Sequence, residues 1–336
     1  MARRGHDAIL VTSYPLREEY ELGSAVKRIN LEIKKIEQSK IKRNISRISK
    51  LRKICKTIRP DVCISFMQEP NFRMLCATRG LGIPTVVSVR NDPRREYAGT
   101  VGKAVGRYLM PRAEGCVFQT KEAMSWFSPS LQNRSTVIPN PVGDRFFAVG
   151  PEREDSQLVV SIGRLEEQKN QALAIDAFGS IARKYPKARF EIYGEGELRT
   201  ALEARISESG LSDRIALRSK TTDVAGVLSK AAIFVLSSDF EGMPNALQEA
   251  LATGVACVST DCPCGGPRSL IENGKNGVLV PVGDEDALAH ALDELLGDLS
   301  RRQALGQAAK KAAHELFSAQ GVFDRWEDYL SNVKSK

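Results

Sequence analysis

The chain has 336 residues, with 49 Lys+Arg against 41 Asp+Glu, and so carries a formal net charge of +8. This length exceeds one ordinary core and suits two domains of ~150 residues each, and an apolar content of 42% excludes disordered and collagen-like classes. The longest unbroken apolar run, Ala231–Leu236, is far short of the ~20 residues of a bilayer-spanning helix.

In chain order, Arg3, Arg4 and Gly5 read as the last turn of a helix, with basic residues at its C-terminal dipole and a glycine just past it. No apolar stretch of a secretory signal accompanies them. Short β-rich runs then alternate with helix-length amphipathic runs. The predicted strands of the first half are Asp7–Thr12, Val26–Ile33, Asp61–Phe66, Thr85–Val89, Cys116–Gln119 and Val137–Pro139. Those of the second half are Leu158–Ile162, Arg189–Tyr193, Ile215–Leu217, Ile233–Ser237, Val255–Ser259 and Gly277–Val280. Most are continuously apolar, as strands buried on both faces are, and the helices between them imply parallel sheets with right-handed crossovers. Val26–Ile33 differs: Ile29, Leu31 and Ile33 alternate with Asn30 and Glu32, the pattern of an edge strand. A doubly wound domain opens on a strand, a turn and a helix. Only the end of such a helix is seen here, so the first domain is expected to lack a strand–loop–helix unit of ~25–30 residues, and the chain as written is expected to be inactive or poorly stable.

Gly143–Ser156, with Gly150-Pro151 and the charged run Glu152–Asp155, reads as a linker. The expected limits are a first domain over 1–143, a linker over 144–156, a second domain over 157–317 and a C-terminal helix over 318–336. That helix carries Val322, Trp326 and Leu330 on one face and is expected to cross back to the first domain.

The charge is uneven. Residues 34–59 hold eleven Lys/Arg and one acid, Glu37, a local charge of +10 that leaves −2 for the remainder. A helix is predicted over about Ser39–Ile58, with Ile41, Ile45, Ile48, Leu51, Cys55 and Ile58 facing a sheet and the basic residues facing out. The outer face is either simply solvated or meets an anionic membrane surface. Few aromatics interleave, so nucleic acid is not the expected partner. The seven cysteines follow no disulfide framework and mostly sit in apolar runs, pointing to a reducing, cytoplasmic compartment. Cys262-Pro-Cys264 has no nearby Cys or His to complete a metal site, and Asp284-Glu-Asp286 reads as a helix cap, so no metal is expected.

Four segments carry chemistry. Phe240–Ala250 follows a buried strand, and Pro244 is placed at the first helical position, so the free N–H groups of the first turn, around Met243 to Ala246, with Asn245 among them, form an anion site at the end of a parallel sheet. Glu241 and Glu249 flank it. Carboxylates would repel phosphate and suit sugar hydroxyls. Ser161–Asn170 contains Gly163, which permits close backbone approach, and Arg164 and Lys169, which suit phosphate oxygens. Tyr193–Leu198 contains Gly194 and Gly196, which would let backbone pass near a base or ribose, without the third glycine of a dinucleotide fingerprint. In the first half Arg90, beside Asn91 at a strand end, is placed to hold an anionic acceptor, and Asn140 to line the same cleft.

Together these motifs resemble the retaining, GT-B-fold glycosyltransferases of family 4. The Glu-x7-Glu motif is matched by Glu241 and Glu249, the phosphate clamp by Gly163, Arg164 and Lys169, and the glycine loop by Gly194 and Gly196. Pro60–Met67, Val87–Pro93 and Val137–Val142 are similar to the branch that acts on undecaprenyl-diphosphate-linked glycans, which includes N-acetylgalactosaminyltransferases. The resemblance implies two Rossmann-like domains facing a cleft and a nucleotide-sugar donor, UDP-linked, with no metal or other cofactor. It implies Glu249 on the ribose, Glu241 on the donor sugar, Arg164 and Lys169 on the leaving diphosphate, and a lipid-linked glycan acceptor. The family's opening strand and glycine-rich loop are not seen. A different GT-B activity on a nucleotide sugar, or a non-catalytic binding homologue, stays open.

Overall fold

In the computed structural model the described residues are 1–13, 22–31, 39–152 and 156–334. Ile33, Lys34, Lys35 and Glu37, and Arg153–Asp155 of the expected linker, lie outside them. The chain forms two compact units. The first comprises Met1–Phe118, Met124–Ile138 and Phe323–Lys336, and the second Gln119–Ala123 and Pro139–Val322.

The first unit holds two separate parallel sheets. β1 (Ile9–Thr12) pairs with β2 (Lys27–Asn30), and β3 (Cys63–Phe66), β4 (Thr85–Ser88), β5 (Gly115–Phe118) and β6 (Thr136–Val137) form a four-stranded sheet in that order. β4 and β5 are buried along their whole length, as their unbroken apolar sequences require. Among the described residues β2 pairs with β1 alone, and Glu32 and Ile33 of its expected alternation lie outside them. The opening basic residues form one 3₁₀ turn, Ala2–Arg4, closed by Gly5 at φ 87°, a left-handed conformation that favours glycine. Arg4 bonds both Asp324 and Glu327 of the C-terminal helix Ala319–Lys334, each at 2.7 Å. Val322, Trp326 and Leu330 of that helix are all buried.

Helix α1 (Lys40–Ile58) begins at Ser39, whose hydroxyl accepts from the Lys42 N–H. Its register departs from expectation at the first two turns. Leu51 and Cys55 are buried, but Ile41 and Ile45 are 71% and 61% exposed, and Arg47, expected outside, is only 6% exposed. Among the described residues the apolar stripe joins a core cluster only from Ile48 onward, through Ile48, Leu51, Ile54 and Cys55. Arg52 also turns inward in part, donating to the carbonyls of Ala77 and Arg79, just past helix α2 (Gln68–Thr78), at 2.8 and 2.7 Å.

The second unit has a six-stranded parallel sheet. With β7 (Leu158–Ile162), β8 (Arg189–Tyr193), β9 (Ile215–Arg218), β10 (Ile233–Leu236), β11 (Ala256–Thr260) and β12 (Val278–Val280), the spatial order is β12-β11-β10-β7-β8-β9. This is the doubly wound order, and its switch point lies between β7 and β10. Val159, Phe190, Ile192, Ile233 and Val235 join one core cluster with Leu173, Phe178 and Leu292 of the covering helices. The alternate residues Val160, Phe234 and Cys257 are also fully buried, so the sheet is covered on both faces. The stretch read as a linker contains a short helix, Asp144–Ala148, with Phe146 buried and Phe147 edge-on to His314 at 5.4 Å. Its apolar pair, Phe146-Phe147, gives it a packing face within the second unit. Asp284 caps the helix Glu285–Gly297 through the Ala287 N–H at 2.9 Å, as its sequence context predicts. Among the described residues no helix is long and apolar enough to cross a membrane.

Candidate active site

Ligands of open parallel sheets bind beyond the carboxyl ends of the strands, where the strand order reverses. In the second unit this places a site beyond β7 and β10, the strands that run into Gly163–Asn170 and Ser237–Met243. The two loops are tied together by the Asp239 N–H donating to the Gln168 carbonyl at 2.9 Å, Ser237 Oγ to the Lys169 carbonyl at 3.0 Å, and Asn170 Nδ2 to Asp239 Oδ1 at 2.9 Å. Asn170 holds φ 42° and caps the next helix, Gln171–Ile181, through the Leu173 N–H. Asn and Asp are the side chains that best tolerate this left-handed conformation.

Lys169 and Glu241 meet across the tied loops as an ion pair, and both side chains are largely buried. Glu241 is further fixed by Ser238 Oγ at 2.9 Å and Gln168 Nε2 at 3.4 Å, while its backbone exchanges bonds with the Pro263 carbonyl and the Cys264 N–H. Such a carboxylate is anchored by several donors while one cation neutralises it. Arg164 is different: its side chain is 63% exposed and pairs with Glu166 at 2.7 Å.

The helix that follows β10 runs from Asn245 to Thr253, with Pro244 at the capping position in extended conformation. It starts one residue later than expected, because Pro244 is not helical (ψ 109°). Its first backbone acceptor bond is Gln248 N–H to the Pro244 carbonyl, which leaves the first-turn N–H groups of Asn245–Leu247 without helical partners. Met243 is buried beneath this end. Glu249 stands in the second turn, and burial pushes its carboxyl up to about 7, against an opposing pull from Arg145. Asn140 belongs here as well: its Nδ2 lies 2.5 Å from Asn245 Oδ1, and its carbonyl accepts from Gln248 Nε2 at 3.0 Å. It braces the start of the Glu249 helix.

Gly194 and Gly196 have a packing reason that their sequence did not suggest. A Cβ at Gly194 would lie 1.9 Å from the Gly163 carbonyl oxygen, and one at Gly196 2.2 Å from that of Leu165. The close neighbour is therefore the β7 loop itself, whose Gly163 and Leu165 N–H groups bond the carbonyls of Tyr193 and Glu195. Gly163 is less crowded, its Cβ reaching only the flexible Lys169 stem at 3.4 Å.

Arg90 and Asn91 lie in the first unit, just past β4. Arg90 stacks over the Phe66 ring at 5.5 Å, and burial lowers it to about 10. Asn91 Oδ1 accepts from the Asp92 N–H at 2.9 Å. Sequence reasoning missed Gln168, Ser238 and Asp239, which anchor the Lys169–Glu241 pair. Their only signal was adjacency to the two motifs. Among the described residues no cluster of three or more metal-ligating side chains occurs.

Two α/β units with parallel sheets, one in the doubly wound order, make this a GT-B fold, and solved structures agree. Anabaena HepE, solved in complex with UDP-glucose, is 17% identical and superimposes with a TM-score of 0.78 over 91% of this chain and 86% of that one. The family model described as Glycosyl transferases group 1 matches residues 143–312, and that of Glycosyltransferase Family 4 matches 1–145. The chain belongs to the group 1 glycosyltransferases, and its first part to family 4. A Campylobacter jejuni relative, the GalNAc-alpha-(1->4)-GalNAc-alpha-(1->3)-diNAcBac-PP-undecaprenol alpha-1,4-N-acetyl-D-galactosaminyltransferase, is 25% identical over 98% of this chain and 91% of its own length. An exopolysaccharide phosphotransferase of Streptomyces coelicolor is 27% identical over 85% of this chain, which spans only 30% of that relative.

Proposed function

We propose that this glycosyltransferase moves a sugar from a UDP-linked donor, a hexose or N-acetylhexosamine, to a lipid-diphosphate-linked or other cell-envelope glycan, with retention of anomeric configuration. The observation that carries the reading is the Lys169–Glu241 pair held at the switch point beside a helix start with free N–H groups. An incoming diphosphate is a stronger partner for Lys169 than the carboxylate it now neutralises. With Lys169 and Arg164 turned to the diphosphate, Glu241 is released to accept hydrogen bonds from the sugar hydroxyls. Glu249 takes the ribose diol, and Gly163, Gly194, Gly196, Met243, Pro244 and Asn245 shape the donor pocket around it.

The charge that develops on the leaving diphosphate is met by Arg164, Lys169 and backbone N–H groups, so this reading requires no metal ion. The departing phosphate oxygen takes the acceptor proton on the same face, which makes a separate His base unnecessary. Domain 1–143, through Arg90 and Asn91, serves the acceptor, domain 157–317 serves the donor, and the helix 318–336 joins them. The homologous Campylobacter enzyme, by its name, works on an undecaprenol-linked glycan, which supports a lipid-linked acceptor. The membrane surface would be met by α1, where exposed Ile41 and Ile45 stand beside Lys42, in the manner of an in-plane amphipathic helix.

A thermal-shift series with nucleotide sugars tests the donor. A donor at 100 times its dissociation constant stabilises by ~2.7 kcal/mol, and UDP-sugars are expected to do so where GDP- and ADP-sugars do not. Glu241→Ala is expected to retain UDP binding while losing at least ~100-fold in kcat. Wild-type turnover by that variant at saturating donor would end the assignment of Glu241.

A further inference from the structure

Two thiols of the first unit face one another. Cys55, in the last turn of α1, and Cys63, the first residue of β3, are both free and buried, and their Sγ atoms lie 3.9 Å apart. They share a core cluster with Leu31, Leu51 and Ala77. Position 55 falls on the apolar stripe of α1, and strand side chains alternate between faces, so Cys63 stands on the face of β3 that α1 covers. A cysteine that serves only as a small hydrophobe packs by its volume. Here the two sulfurs are bonded to each other by a thiol proton.

The pair is chemically unequal. The hydrogen bond from Cys63 holds the Cys55 thiol below its ordinary value against the opposing effect of burial, and the Arg52 guanidinium one turn earlier pulls the same way. That bond raises Cys63, and burial raises it further. Cys55 is therefore the sulfur with thiolate character, and the thiolate is the nucleophile of thiol chemistry. Both residues also line a groove of about 640 Å³ between β1 and β3. A water molecule takes ~30 Å³, so an oxidant as small as hydrogen peroxide has room to reach them.

We propose that Cys55 and Cys63 form a reversible, peroxide-sensitive disulfide that ties the last turn of α1 to the start of β3. The Cys55 thiolate attacks one oxygen of hydrogen peroxide and the O–O bond breaks. Cys55 becomes a sulfenic acid, and the other oxygen leaves as hydroxide, which takes up the proton Cys55 had lost. The Cys63 sulfur then attacks the Cys55 sulfur, the S–O bond breaks, and water departs with the Cys63 proton. Two thiols give up two electrons, and one peroxide is reduced to two waters. A disulfide spans ~2.05 Å, so the sulfurs have roughly 1.9 Å to close between them, a displacement ordinary for side chains. Exchange with a small thiol reopens the bond, which makes it transient in a reducing compartment.

Peroxide treatment of the full chain, with the remaining thiols blocked by N-ethylmaleimide and the fragments read by mass spectrometry, tests this. The parent chain is expected to form an intramolecular Cys55–Cys63 link at least about tenfold faster than the fully buried Cys116 or Cys257 is modified, and dithiothreitol to reverse it. Cys63→Ser is expected to stop the reaction at the Cys55 sulfenic acid, which dimedone traps, and Cys55→Ser to leave Cys63 a thiol. Three results in the parent chain would overturn the proposal: both thiols still take up maleimide on unfolding, Cys55 passes to the sulfinic acid without a link, or the link joins two chains and grows with protein concentration.

Discussion

Lys169 and Glu241 bury opposite charges against one another, and removing one partner leaves the other buried and uncompensated. Lys169→Met is therefore expected to cost about 3 kcal/mol of stability, read as a lowered urea midpoint at unchanged slope; an unshifted midpoint would show that solvent already screens the pair. The glycines divide in a way that their shared appearance in motifs conceals. Gly194→Ala drives a Cβ into the Gly163 carbonyl and should cost more than about 2 kcal/mol, whereas Gly163→Ala meets only a movable lysine stem and should cost under about 1 kcal/mol. Equal losses would contradict the distances. The positions of Glu241 and Glu249 were legible because a buried strand, a glycine–proline turn and a helix follow in fixed order. That Lys169 would face Glu241 was not, since 72 residues separate them and only the strand order brings them together. That Asn140 would meet Asn245 and Gln248 was hidden for the same reason.

Strands were the most legible elements, because continuous apolar runs between glycine and proline punctuation have few other uses. Helix α1 shows where such reading stops. Its periodicity fixed its limits, but periodicity does not tell which turns of the stripe are covered, so Ile41 and Ile45 were expected inside and Arg47 outside. The consequence can be measured. Ile41→Ser and Ile45→Ser should leave stability within ~0.5 kcal/mol, while Leu51→Ala should cost about 2–4 kcal/mol. If α1 meets an anionic surface, the same two serine changes, or Lys42→Glu with Lys50→Glu and Lys53→Glu, should reduce cosedimentation with phosphatidylserine vesicles. Undiminished binding would leave the basic face merely solvated. The short helix at Asp144–Ala148 was missed because five residues are too few for a period, and the charged residues around them dominate the composition.

At the scale of the molecule, two carboxyls govern how stability depends on pH near neutrality. Burial raises Glu96 and Glu249 from an ordinary 4.5 to about 7. The folded chain holds these protons more tightly than the unfolded one. The stability they lend is complete below 4.5 and is lost as pH rises through about 7. Glu327, lowered by its bonds to His6 and Arg4, and Asp293, lowered by Lys184 and Tyr185, act in the opposite sense and lose their contribution as pH falls into the acid range. Glu96→Gln keeps an oxygen for the Gln68 N–H that Glu96 now accepts at 2.7 Å and removes the titration. Its melting temperature relative to the parent should rise between pH 5 and pH 8; a constant difference over that range would show that Glu96 does not titrate there.

The turn at 194–196 has a consequence for how relatives of this chain can diverge. Two of its three positions are pressed against the carbonyls of Gly163 and Leu165 with no room for even a methyl group. Mutational drift there is closed in both loops at once, since a larger residue at 194 would need a retreat of the β7 backbone. Change between relatives is left to side chains at the turn, such as Glu195, whose carboxylate meets Arg199 at 3.3 Å, while the two backbones keep their spacing.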